Sequence, residues 1–136
     1  MKSLADIQAD VLRLAEQHGI ADKDLPTFGR SRDGGYPHIE VGAGTYHYVN
    51  VERGEEISRL STREYDELLY WVCADLTHGM AFAFELRHRV AGRDSRRMAF
   101  ERQLDLLVRI SPAMADRRAE EIGEILVKSP YVDRGA

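Results

Sequence analysis

The stretch Tyr36–Leu60, YPHIEVGAGTYHYVNVERGEEISRL, decides the fold of this chain. Two turn signals divide it. Tyr36–Val41 and Thr45–Glu52 carry the β-branched and aromatic residues of strands, and Gly42-Ala43-Gly44 between them reads as a tight hairpin connection. Arg53-Gly54 makes a second turn, and Glu55–Leu60 follows as a third strand of more exposed character. Three strands joined by short turns form an antiparallel meander, which leaves one face for helices to cover. Gly42-Ala43-Gly44 joins strands rather than opening a helix, and no Gly-Lys-Ser/Thr follows, so it is a turn and not a phosphate loop.

Upstream, Ser3 caps a first helix with Asp6 in its first turn. Leu4, Ile7, Val11, Leu14 and His18 share one face of it, and Gly19 stops it. Ala21–Gly35 reads as a structured loop. Downstream, Ser61 or Thr62 caps a central helix running to about Val90, apolar on nearly every side from Leu68 to Phe84 and therefore expected to be surrounded by neighbours. Ser95–Ile110 forms a third helix with Phe100, Leu104, Leu107 and Val108 inward. Ser111-Pro112 opens a fourth, which buries Ala115, Ala119, Ile122 and Leu126 and stops before Pro130. The expected fold class is α+β: an N-terminal helix, a three-stranded antiparallel meander, then three helices with a buried central helix (α-β-β-β-α-α-α).

At 136 residues the chain fits a single domain, 1–136. With 43% apolar and 31% charged residues it can bury a core and stay soluble. A net charge of −4 argues against general nucleic-acid binding, which needs a strongly basic face. The lone Cys73 permits no internal disulfide and fits a reducing compartment; on an apolar helix it reads as a core residue rather than a nucleophile. MKSLADIQAD lacks the apolar segment of a signal peptide, and Asp75 at the centre of the longest apolar run argues against a membrane span. The expectation is a cytoplasmic protein, monomer or homodimer, that meets neither membrane nor nucleic acid.

The central helix holds the best candidates for chemistry. Asp75-x-x-His78 and Glu85-x-x-His88 each place a carboxylate and an imidazole one turn apart, a spacing that can bind a metal. The two pairs lie about 15 Å apart along the helix, too far to share one ion. The structural alternative makes Asp75, Glu85, Arg89 and Arg97 buried polar groups that pair with one another or with neighbouring arginines. Glu85–Arg102 carries six arginines against three carboxylates, a possible phosphate patch. Glu52–Glu67 carries six carboxylates against three arginines and suits a basic partner.

A series of short pieces also stands in order along the chain. It comprises Leu25-Pro26-Thr27-Phe28-Gly29, Ser31-Arg32-Asp33, Pro37-His38-Ile39-Glu40-Val41, Tyr46-His47-Tyr48-Val49 and Val51-Glu52-Arg53-Gly54. Asp66-Glu67-Leu68-Leu69-Tyr70-Trp71, Met80-Ala81, Glu85-Leu86, His88-Arg89, Asp94 with Arg96-Arg97, and Gln103-Leu104 follow. Together these resemble the immunity protein 63 family of bacterial polymorphic toxin systems, over most of the chain from Ser3 to Val127. The chain departs at His78-Gly79, where family members carry an aromatic residue and a serine, and at Met114, where a tryptophan is common.

The resemblance implies a cytoplasmic protein, not an enzyme and without cofactor, that binds a cognate toxin domain and neutralises it. It assigns no contact residue. Charge and expected exposure place the toxin-binding surface on Glu52, Glu55, Glu56, Glu64 and Glu67 with Tyr46 and Tyr48. The residues leave two alternatives: a metal-assisted enzyme using Asp75, His78, Glu85 and His88, or a regulatory adaptor or nucleic-acid-binding protein using Arg87–Arg102. The leading reading expects no catalytic residue and no bound metal.

Overall fold

The computed structural model describes residues 1–134. In order it contains α1 (Leu4–His18), a 3-10 turn (Asp22–Asp24), β1 (Thr27–Phe28), β2 (Pro37–Gly42), β3 (Thr45–Glu52) and β4 (Glu55–Thr62). Then come α2 (Tyr65–Arg87), α3 (Ser95–Ile110) and α4 (Pro112–Lys128). This is the expected α+β order with one strand added. β1 pairs parallel to β2, so the sheet has four strands in the order β1-β2-β3-β4. The chain divides into two units, Met1–Val72 and Cys73–Ala136, and the division falls within α2.

In the first unit, Ser3 and Asp6 form a reciprocal capping box at the start of α1, and Gly19 ends the helix in the left-handed region. Ile7, Val11 and Ala15 are its buried row, with Leu4, Leu14 and His18 half-buried beside it. Both hairpins turn through two left-handed residues, Ala43-Gly44 and Arg53-Gly54. That primed geometry matches the twist of the strands it joins.

β2 and β3 pair from Pro37↔Asn50 to Gly42↔Thr45. Strand alternation therefore puts Tyr46 and Tyr48 on one face with Val41 and Ile39, and His47 and Val49 on the other with Glu40 and His38. Between β3 and β4 the register shifts at Asn50/Val51, and Ile57 is the extra residue.

In the second unit the buried positions of α2 are Cys73, Leu76, Thr77, Ala81 and Glu85. Asp75, His78, Gly79, Ala83 and Leu86 form an exposed stripe, so α2 is not enclosed on every side as its composition suggests. Its start is also later than expected. Ser61 and Thr62 both belong to β4: Ser61 Oγ meets His47 Nδ1 at 2.7 Å, and Thr62 Oγ1 accepts the Glu64 amide at 3.0 Å just before the helix begins.

α3 buries Ala99, Phe100, Gln103 and Leu107, and α4 buries Ala115 and Ile122. Val108 and Ala119, expected inward, are exposed; Val108 lies one position past the buried Leu107. Gln103 is almost fully buried, and every polar atom of its side chain has a partner. Its amide nitrogen donates to Ala74 O at 2.9 Å and to Thr77 Oγ1, while Oε1 accepts from Arg118 Nε at 3.0 Å. A buried amide left unpaired costs about 1–3 kcal/mol, so this network fixes how the three helices meet.

Candidate functional site

The acidic residues singled out by sequence lie on the β3–β4 hairpin and just beyond it. Gly54, with φ +74, completes the turn, and its amide donates to Asp33 Oδ2 at 3.0 Å. Asp33 also accepts the Gly34 amide at 2.7 Å, and Gly35 N donates to Val51 O at 2.9 Å. The Gly34 amide first, then those of Gly54 and Arg53, hold the Asp33 carboxyl below its ordinary pKa. Sequence reading missed this brace; the only signal was an aspartate followed by two glycines, a turn pattern.

Glu52 stands directly across from Glu55, and both are exposed without a side-chain partner among the described residues. Glu64 is exposed as well, and Glu67 is half-buried. Glu56 is engaged: Arg59 Nη2 donates to its Oε1 at 2.7 Å, while Arg59 Nη1 donates to Glu40 Oε1 at 3.1 Å. His38 Nε2 lies 2.7 Å from Glu40 Oε2. The result is a ladder, His38–Glu40–Arg59–Glu56, across β2 and β4 on one sheet face.

Hydrogen bonds from Arg59 lower the Glu56 pKa; His38 first and then Arg59 lower that of Glu40. The two carboxylates in turn raise that of Arg59, Glu56 more than Glu40. An ionised Glu40 accepts only, so Nε2 of His38 carries the proton. Nδ1 of this buried ring has no partner.

Tyr46 and Tyr48 are not part of that surface. They are 2% and 5% exposed, on the face that turns inward. Tyr46 Oη accepts the Lys2 amide at 2.8 Å, its ring lies 5.6 Å from that of Tyr65, and Tyr65 Oη donates to Asp10 at 2.6 Å. Burial, then the Asp10 carboxylate, raise the Tyr65 pKa. Aromatics on alternate residues of a central strand can seal a seam between strand and helix, and Tyr46 does so here against Tyr65 at the start of α2.

The groups considered for chemistry on α2 do not converge. Asp75 is exposed, contrary to its expected burial, because it sits on the outer stripe of the helix. Glu85 is buried and accepts from Arg89 Nη2 at 2.8 Å and Nε at 3.2 Å, which lowers its pKa. Arg89 itself stays mostly exposed, its side chain reaching back over Glu85. His88 Nδ1 lies 2.8 Å from Phe84 O. The His78 ring packs 4.6 Å from Phe82, and partial burial followed by the Arg118 charge lowers its pKa against the pull of Asp75. Among the described residues no three His, Cys, Asp or Glu side chains are grouped to hold a metal. Burial pushes the Cys73 thiol up to about 11.

The arginine run is largely spent on the chain's own end. Arg96 Nη1 and Nη2 donate to Ser129 O and Pro130 O, each at 2.9 Å. Arg97 holds Asp133 and lies 4.3 Å from the Tyr131 ring centre. Arg97 is thus half-buried on an aspartate, not paired with Asp75 or Glu85. The Asp94 amide donates to Asp133 at 2.8 Å, the Val132 amide donates to Asp94 at 2.9 Å, and Arg134 N reaches Gly92 O at 2.7 Å. At Gly92, with φ +80, any side chain would strike the Arg134 carbonyl. Arg102 covers the Phe84 ring at 4.3 Å. An open hollow of about 570 Å³ beside this clasp is lined by Arg89, Arg93 and Arg134 among others.

These features define a small α+β protein with a charged sheet edge, whose arginines mostly serve its own packing. The immunity protein 63 family model matches residues 43–124, and the chain belongs to that family. The match opens at the β2–β3 turn, takes in β3, β4, α2 and α3, and ends within α4. Comparison with curated proteins and with solved structures finds no match. Among the described residues no helix is long and apolar enough to cross a membrane.

Proposed function

We propose that this chain is a cytoplasmic immunity protein that binds a cognate toxin domain and neutralises it by contact, without catalysing a reaction. Membership of the immunity protein 63 family carries the reading. Three exposed carboxylates, Glu52, Glu55 and Glu64, support placing the contact on the β3–β4 hairpin and the approach to α2. Exposed charge of one sign steers a partner of the other sign and selects against like-charged surfaces. The buried pair Tyr46 and Tyr48 is withdrawn from the contact, and Glu56 joins it only through the face it shares with Arg59.

The test is co-purification of the tagged chain with the toxin-domain product of the neighbouring gene at moderate salt, with growth of toxin-expressing cells scored alongside. A stoichiometric complex and restored growth are expected. No complex and no rescue would overturn the reading.

A further inference from the structure

β4 is the outermost strand of its sheet, with no strand on its far side among the described residues. Every residue from Glu55 to Ser61 is exposed. The opposite edge, β1, is only two residues long and offers little backbone to pair with. Sheets blunt their edges by shortness, bulges, charge or cover, because an open edge templates pairing with another chain. Here the bulge at Ile57 interrupts only the end near the turn. From Ser58 to Thr62 the strand keeps residue-for-residue register with β3. Ile57 and Leu60 are 58% and 47% exposed on this strand.

We propose that β4 accepts a strand of the toxin along Ser58–Thr62, extending the sheet to a fifth strand, and that this strand is basic where it passes Glu52 and Glu55. The inference rests on the immunity reading and names how the partner is held. Backbone hydrogen bonds would supply affinity, and alternate side chains the selectivity. Leu60 provides the apolar contact at the centre of that segment, and Ile57 a second one at its turn-side border. Glu56 and Glu40 share Arg59, whereas the carboxylates with no side-chain partner among the described residues lie at the turn end, Glu52 and Glu55. A basic partner strand satisfies it; an acidic one meets repulsion there.

Hydrogen exchange of the free chain and of its complex with the neighbouring toxin domain tests this. In the complex, the β4 amides between Ser58 and Thr62 that point away from β3 should slow by about ten-fold or more. The double variant Ile57→Thr with Leu60→Thr, which keeps strand propensity, should weaken binding about ten-fold while its unfolding midpoint holds. A complex that forms without protecting β4 overturns the inference and leaves the immunity reading standing. Absence of any complex removes both. Protection of β4 in the chain alone, with dimers in sedimentation, would assign the edge to a second copy and overturn the proposal.

Discussion

β3 and β4 are neighbours of equal length, eight residues each, joined by a two-residue turn and paired along their length. β3 buries Tyr46, Tyr48 and Val49 and so has core on both faces; β4 buries nothing. Hydrogen-bonded pairing thus says little about burial. What separates them is position: among the described residues β3 has a strand on each side, whereas β4 has one on one side only. Their sequences carry the difference in kind, TYHYVNVE against EEISRLST. The first strand is tied to the stability of the fold, and the second is left available for another role.

The sharpest way to break that contrast is to truncate cross-strand partners. Tyr48 faces Leu60 in the register. Tyr48→Ala should destabilise by about 3–5 kcal/mol, the range for emptying a large aromatic site in a core. Leu60→Thr should stay within about 0.5 kcal/mol, as exposed substitutions do. Urea unfolding of the two variants against the parent measures both. Equal losses would show that β4 is as much a part of the core as β3.

The sequence made much of this legible, and its failures have physical causes. Ser3 with Asp6, Gly19, and Ser111 with Pro112 marked helix ends correctly because caps are local chemistry. The three long strands were read from composition and turn residues. β1 was missed because Thr27 and Phe28 are too few to show a period, and a parallel pairing is not signalled by any turn. Tyr46 and Tyr48 were assigned to a contact surface because alternation tells that two residues share a face, not which face is covered. Arg96 and Arg97 read as free charge because their acceptors, Ser129, Pro130 and Asp133, stand far along the chain. The acidic hairpin itself was visible as a run of charge, but its division into free Glu52 and Glu55 and engaged Glu56 needed the register.

A smaller effect separates the ladder from the core. Arg59→Ala frees Glu40 and Glu56, whose pKa values are lowered in the fold. A depressed carboxylate stabilises the fold at pH values above its unfolded pKa, and that contribution is lost as pH falls through the folded value. The difference in stability between parent and Arg59→Ala should therefore be present at neutral pH and shrink on acidification below about 4.5. All three side chains are a third or more exposed, so solvent screens the pair and the difference is small. Thermal unfolding of both proteins across that range checks it. A difference that grows on acidification would mean that Arg59 serves the fold through packing rather than through these carboxylates.

The smallest effect on the fold, and the one that bears on function, comes from the tip of the hairpin. Glu52→Lys with Glu55→Lys replaces two unpartnered carboxylates by ammonium groups on exposed, directly opposed positions. Like charges opposed across a strand pair repel before and after the change, so stability should hold. Association with a basic toxin should slow by about ten-fold at low salt, since charge at an interface rim acts mainly on the encounter rate. The slowing should fade as salt is raised, because screening removes the steering. Dissociation should change little, as neither residue is buried against core. Stopped-flow association at two salt concentrations distinguishes the cases. An unchanged rate at low salt would move the contact off the hairpin tip, and β4 would no longer differ from β3 in function as it does in burial.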